Sequence, residues 1–345
     1  MFAEKVLSGM RPTGRLHLGH YHGVLANWIK LQHDYPCLFF VADWHALTTS
    51  YDEPGTITQN ARDMVIDWLA AGVDPDKATI FVQSMVPEHA ELHLLLSMMT
   101  PLPWLERVPT YKDQQEKLTH KDLTTYGFLG YPLLQSADIL IYRANKVPVG
   151  EDQVPHIEFT REIARRFNFL YGQTGRKLPD GEPELKHILV EPAALLTEAS
   201  KMPGLDGQKM SKSYGNTIGL REDEESIRKK IKTMRTDPQR VRRTDAGDPE
   251  KCPVWPLHQI YSNDEVKGWV QQGCRSAGIG CIECKQPVIE GVLAEQVPMH
   301  ERARRYEENP QLVKDILAVG CERASKLARE TMRDVRAAIG LNYEQ

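Results

Sequence analysis

The chain has 345 residues, 41% hydrophobic and 26% charged, with 43 lysines and arginines against 47 acids and a formal net charge of -4. That length exceeds the ~100 to 200 residues of one typical domain, so two domains are expected, and the composition excludes disordered, collagenous and coiled-coil classes. A net-negative chain is not a wholly basic nucleic-acid coat, so any polyanion has to meet a restricted basic patch. No stretch approaches the ~20 apolar residues of a membrane span, and the start MFAEKVLSGM lacks the apolar core of a signal peptide; the cytoplasm is the expected compartment.

In chain order, short apolar runs alternate with amphipathic stretches, the pattern of βα units feeding a parallel sheet. Strands are predicted near Lys5–Gly9, Pro36–Ala42, Thr79–Gln83, Lys146–Val149 and Ile188–Val190, and helices over Leu18–Gln32, Thr56–Ala71, Pro87–Met99, Leu133–Tyr142 and Gln153–Phe167. In the last helix Val154, Ile157, Phe159, Ile163, Ala164 and Phe167 recur near helical spacing, so that face is expected on the sheet. Residues 112–125 are polar without a period and read as a mobile connector or lid. A second polar loop, Ser200–Gly215, carries Gly204, Gly207 and Gly215 around Pro203. Beyond it strand signals vanish, and from Arg221 the chain reads as helices broken near Pro238 and Pro249 and around Gly273–Pro287. This divides the chain into an α/β domain over 1–215 and a helical domain over 216–345.

Two motifs carry chemistry. Ser8-Gly9-Met10-Arg11-Pro12-Thr13-Gly14-Arg15-Leu16-His17-Leu18-Gly19-His20 follows the first strand and opens the first helix. In an α/β sheet ligands bind there, and a helix start offers free N–H groups and a positive dipole end to phosphate. Gly19 lets a nucleotide approach the backbone, and the imidazoles of His17 and His20 can donate to phosphate oxygens. The second motif, Lys209-Met210-Ser211-Lys212-Ser213, supplies movable positive charge and hydroxyls in a glycine-flanked loop. Neither the P-loop spacing nor Gly-x-Gly-x-x-Gly occurs. Downstream, Cys252, Cys274, Cys281 and Cys284 gather in 33 residues, a set that suits tetrahedral zinc, a [4Fe-4S] cluster or four separate reduced thiols; spacing does not choose.

His17-Leu18-Gly19-His20 resembles the HIGH signature, and Lys209–Ser213 the KMSKS signature, of class I aminoacyl-tRNA synthetases. Ser136-Ala137-Asp138-Ile139-Leu140 and Val147-Pro148-Val149-Gly150-Glu151-Asp152-Gln153 are similar to the tryptophanyl branch of the tryptophanyl/tyrosyl subgroup. The four blocks stand in family order, and the resemblance runs from Val6 into the C-terminal helices. It implies a Rossmann-like catalytic domain followed by a helical anticodon-binding domain, ATP with Mg2+ and tryptophan as reactants, tRNA(Trp) as partner, and a homodimer. Carried over residue by residue, it makes His17, His20, Lys209 and Lys212 the catalytic groups. Arg11, Pro12, Thr13, Gly19, His20, Gly150, Glu151, Asp152 and Lys209, Met210, Ser211, Lys212 and Ser213 become ATP contacts.

On the amino-acid side, the resemblance makes Asp138 the acceptor of the indole N–H, with Gln153, His45 and Gln135 as pocket wall. The apolar neighbours Ala137, Ile139, Leu140 and Ile141 independently predict that Asp138 is buried. Asp152 could also cap the following helix. Arg11 stands where many bacterial members have glutamine, and Gln135 where several have methionine. A subset of bacterial tryptophanyl members carries a [4Fe-4S] cluster on a spacing one residue longer in its first gap, so that cluster is expected at the four cysteines, with zinc second. Arg228–Arg243 holds eight basic residues against the single acid Asp237, and Arg240, Arg242 and Arg243 are the expected tRNA contacts. The competing readings are a tyrosyl-tRNA synthetase, a nonenzymatic RNA-binding or redox-sensing paralogue, and a simple nucleotidyltransferase, whose chains are usually much shorter.

Overall fold

The structure is a computed structural model that describes residues 4–109, 111, 123–196 and 202–343. Of the lid expected over 112–125, residues 112–122 lie outside the described residues. Strands Val6–Met10 (β1), Cys37–Val41 (β2), Ala78–Val82 (β3) and Lys146–Val149 (β4) form, with a fifth strand late in the domain, one parallel sheet. Between them and the fifth strand, Gln173–Lys177 (β5) and Pro183–Leu185 (β6) pair as an exposed antiparallel hairpin; the fifth strand is Ala193–Leu196 (β7). The order β3-β2-β1-β4-β7 places β1 between β2 and β4, so the chain leaves the middle of the sheet first to one side and then to the other. A reversal of this kind opens a crevice at the carboxyl ends of the central strands.

All five residues of β2 are buried, as a central parallel strand covered on both faces requires. Period-2 alternation divides its side chains. Phe39 stacks on Trp28 at 4.2 Å on one face, and Phe40 lies over Phe81 at 5.5 Å on the other, beside His89. The helix Val154–Tyr171 buries Ile157, Phe159, Ile163, Ala164 and Phe167, the face its periodicity indicates.

Two expectations need correction. The fifth strand is Ala193–Leu196, not Ile188–Val190. Ile188 and Leu189 are buried, but their N–H groups donate to Asn168 Oδ1 at 2.9 and 3.0 Å and Asn168 Nδ2 donates to the Leu189 carbonyl, so one side chain replaces ladder pairing. In the C-terminal half the break falls at 276–280, and the helix Cys281–Glu307 runs through both Pro287 and Pro298. Each proline forfeits one hydrogen bond. Burial of Val288, Ile289 and Val292 where this helix packs on Ile57–Ala71 holds it nonetheless.

The last helix, Pro310–Ala338, returns to the sheet and packs on β3. Gly320, Ala324 and Ala328, four apart, let the backbones approach, and a Cβ at Gly320 would run into the Ile80 carbonyl. Gly320→Ala is therefore expected to cost about 3 kcal/mol or more, read as a lower urea midpoint; an unchanged midpoint would contradict this packing. One apolar cluster runs through Leu16, Trp68, Ile227, Leu257 and Val292, on both sides of residue 215.

Candidate active site

A cavity of ≈ 440 Å³ opens at the carboxyl ends of β1 and β4. Ser8 and Gly9 of β1 floor it, and Gly9 has no Cβ because the Phe40 ring fills that place. Arg11 and His20 line one side; His45, Gln135, Asp138, Gly150 and Gln153 line the rest. Seven residues predicted from up to 142 positions apart thus share one wall.

On the nucleotide side, His17 caps the first helix, its Nδ1 accepting from Gly19 N at 3.1 Å, while His20 Nδ1 accepts from His17 N at 3.3 Å. With both Nδ1 atoms accepting, the neutral rings carry their hydrogens on Nε2, as donors. Burial, then His20 and Lys212, pushes His17 down to about 3; burial, then Lys212, pushes His20 down to about 4. Both are uncharged at neutral pH. They offer hydrogen bonds and leave positive charge to the lysines.

The second motif arrives on the same spot. Lys212 Nζ donates to the Thr13 carbonyl at 2.8 Å, Leu18 N to Ile218 O at 2.9 Å, and Leu220 N to Leu16 O at 3.0 Å. Met210 is buried behind Gly19, whose missing Cβ would lie 3.4 Å from it. Asn216 ties the loop down, accepting from Ser211 N at 2.8 Å and donating to Asp206 and the Lys209 carbonyl. Lys209, Lys212 and Ser213 stay exposed. A buried pair that sequence reasoning missed holds the first loop: Arg221 Nε reaches Asp67 Oδ1 at 2.6 Å, and Asp67 Oδ2 accepts from Leu16 N at 2.7 Å. Pro12 is buried, and Thr13, Glu151 and Asp152 are exposed; these four do not line the cavity. Asp152 does not cap the helix that follows: its Oδ2 accepts from Gln153 Nε2 at 3.3 Å.

On the amino-acid side Asp138 is 1% exposed. Its oxygens accept from His45 Nε2 at 2.8 Å, His89 Nδ1 at 2.6 Å and Gln83 Nε2 at 2.8 and 3.0 Å. Burial pushes its pKa up, and the hydrogen bonds from His45 and His89 outweigh this, holding it at about 2. Sequence reasoning missed Gln83 and His89; their only signal is their place just after β3.

Residues 3–292 match the family described as tRNA synthetases class I (W and Y). The chain belongs to this family. It is 60% identical over 399 aligned positions to a tryptophan–tRNA ligase of Ralstonia nicotianae, covering 99% of this chain and 100% of that one. It is 50% identical to a tryptophan–tRNA ligase of Thermotoga maritima, covering 98% and 100%. Among solved structures, the tryptophanyl-tRNA synthetase of Campylobacter jejuni complexed with ADP and tryptophan superposes with a TM-score of 0.85 at 32% identity, covering 98% and 100%. The parallel sheet and crevice described above are thus those of a class I synthetase.

Two expectations for the helical half of this synthetase change. Arg240 is not on the surface: it is 8% exposed, and its guanidinium donates to the carbonyls of Ile279 at 2.5 Å and Arg243 at 3.0 Å. It fastens the 276–280 break, whereas Arg242 and Arg243 are exposed. The thiols do not form the expected cage. Among the described residues no three His, Cys, Asp or Glu side chains gather closely enough to hold a metal ion. Cys284 Sγ meets His258 Nε2 at 3.4 Å, and Arg240 Nη1 lies 3.9 Å from Cys274 Sγ. Burial, with the neighbouring Cys252, Cys274 and Cys281, pushes the Cys284 thiol up to about 12. No described helix is long and apolar enough to cross a membrane.

Proposed function

We propose that the chain is a tryptophan–tRNA ligase. It joins tryptophan to ATP and then passes the tryptophanyl group to the 3'-terminal ribose of tRNA(Trp). The observation that carries this reading is the meeting of Lys212 with the Thr13 carbonyl near His20, which lines the same cavity as Asp138. In the first step a tryptophan carboxylate oxygen attacks the α-phosphorus, the bond to the β-phosphate oxygen breaks, and pyrophosphate leaves. The carboxylate is already ionised, so no general base is required. The work is positioning and neutralisation of charge that grows on the leaving phosphates. Mg2+ accompanying ATP supplies part of that neutralisation. His17 and His20 orient phosphate oxygens, and Lys209 and Lys212 follow the growing charge. In the second step the ribose hydroxyl attacks the tryptophanyl carbonyl and AMP leaves.

The ATP contacts of this reading are Arg11, Pro12, Thr13, Gly19, His20, Gly150, Glu151 and Asp152 with Lys209–Ser213; the amino-acid contacts are Asp138, Gln153, His45 and Gln135. Residues 216–345 form the tRNA-facing half, working as a homodimer in the cytoplasm. Charging of tRNA(Trp) with labelled tryptophan tests the reading, and absence of labelled tRNA from an enzyme that forms the adenylate would overturn the second step. Neutralising Arg242 and Arg243 together is expected to lower charging roughly tenfold and leave pyrophosphate exchange intact, since phosphate contacts act on the RNA alone. Equal loss in both assays would contradict a tRNA role. A [4Fe-4S] cluster at Cys252, Cys274, Cys281 and Cys284, with zinc second, is a separate proposal that rests on the spacing of four soft donors in the sequence and requires the four side chains to draw together. Protein purified without oxygen is expected to show a visible charge-transfer band; a featureless spectrum would remove the cluster.

A further inference from the structure

Asp138 has two sides. Oδ2 meets His45 Nε2 at 2.8 Å in the cavity wall. Oδ1 meets His89 Nδ1 at 2.6 Å, and Gln83 Nε2 touches both oxygens. Behind His89, its Nε2 lies 2.7 Å from Tyr142 Oη. Gln83 and His89 are 0% exposed and Tyr142 1%, and none of the three lines the cavity.

Hydrogen counting gives this chain a direction. An ionised carboxylate only accepts, so the hydrogen between His89 and Asp138 sits on Nδ1. A neutral His89 then has a bare Nε2, and the Tyr142 hydroxyl donates to it. The reverse tautomer would aim a nitrogen lone pair at the carboxylate, which would have to take up a proton to keep the contact. A protonated carboxyl is a donor as well as an acceptor, and suits a phenol oxygen as readily as an indole N–H. The chain from Tyr142 through His89 therefore bears on which ring the cavity selects.

We propose that His89, fixed as its Nδ1–H tautomer by Tyr142, is a positioning residue for amino-acid selection: it pins Asp138 Oδ1 from behind, so that Oδ2 stays an aimed acceptor for an indole N–H when His45 gives way to the ligand. The inference rests on the reading of Asp138 as the indole acceptor. His45 is the group that yields because it alone of the three donors lines the cavity. Gln83 and His89 then keep the carboxylate in place.

The test is ATP–pyrophosphate exchange by the full chain with tryptophan and with its benzothiophene isostere, in which sulfur replaces the N–H and nothing is donated. His89→Leu is expected to raise KM for tryptophan roughly tenfold to a hundredfold, the effect of one bond to a charged group, with KM for the isostere and both kcat values within about threefold. His89→Asn, whose amide nitrogen reaches the place of Nδ1, is expected to restore most of the loss. Tyr142→Phe removes a single hydroxyl, keeps the shape of the core, and is expected to raise the tryptophan KM severalfold without moving the isostere; it decides the matter if His89→Leu does not fold. Equal rises for both amino acids, or no rise for either, overturn the proposal. If Asp138→Asn shifts the tryptophan-to-isostere ratio and the His89 and Tyr142 variants do not, the positioning role fails alone. If Asp138→Asn leaves the ratio unchanged, the reading of Asp138 fails with it.

Discussion

Lys212→Ala is expected to lower kcat for tryptophan-dependent ATP–pyrophosphate exchange about 10²- to 10³-fold, with little change in KM for tryptophan. Lys212 Nζ donates to a backbone carbonyl of the first motif, and the imidazoles beside it, with His17 at about 3 and His20 at about 4, are uncharged at neutral pH. Positive charge beside these imidazoles thus comes from Lys212. A cation that meets growing charge on the leaving pyrophosphate stabilises the transition state more than bound ATP, so its loss falls on kcat. Lys212→Arg is not expected to restore the rate, because a planar fork cannot replace a compact ammonium in this place. Steady-state exchange kinetics check both variants. A change confined to KM for ATP would mean that Lys212 binds ground state and transition state alike.

Asp138→Ala is expected to act twice. In the folded chain the carboxylate is the shared partner of His45, His89 and Gln83, two of which are fully buried. Removing it leaves three donors facing each other with no acceptor, a loss of about 3 kcal/mol or more, visible as a lower urea midpoint. Because Asp138 also lines the cavity, KM for tryptophan is expected to rise about a hundredfold, by the logic of a site built around one polar contact. Loss of stability with an unchanged tryptophan KM would make Asp138 a core residue only.

The parts legible in the sequence were those whose physics is local. β1 and the loop into the first helix follow from a short apolar run ending in Gly, Pro and His, and the burial of Asp138 follows from the apolar residues on either side of it. What could not be read depends on contacts across long stretches of chain. His89 and Gln83 reach Asp138 over separations of 49 and 55 residues, and Arg221 reaches Asp67 over 154. The helix Asp43–Ser50 that delivers His45 is short and follows a strand directly, so no apolar period announces it. Arg240 was misread because a run of basic residues does not disclose which member turns inward to two carbonyls. The Ile188–Val190 run has a strand's composition, and Asn168 has taken the hydrogen bonds a strand would need.

The most direct measurement is amino-acid-dependent ATP–pyrophosphate exchange by the purified full chain, with tryptophan, tyrosine and phenylalanine offered separately. The account requires robust exchange with tryptophan, little with tyrosine and none above background with phenylalanine, which has neither a group to donate to Asp138 nor a second fused ring to fill an indole pocket. Exchange with tyrosine alone, or no exchange with any of the three, would contradict it.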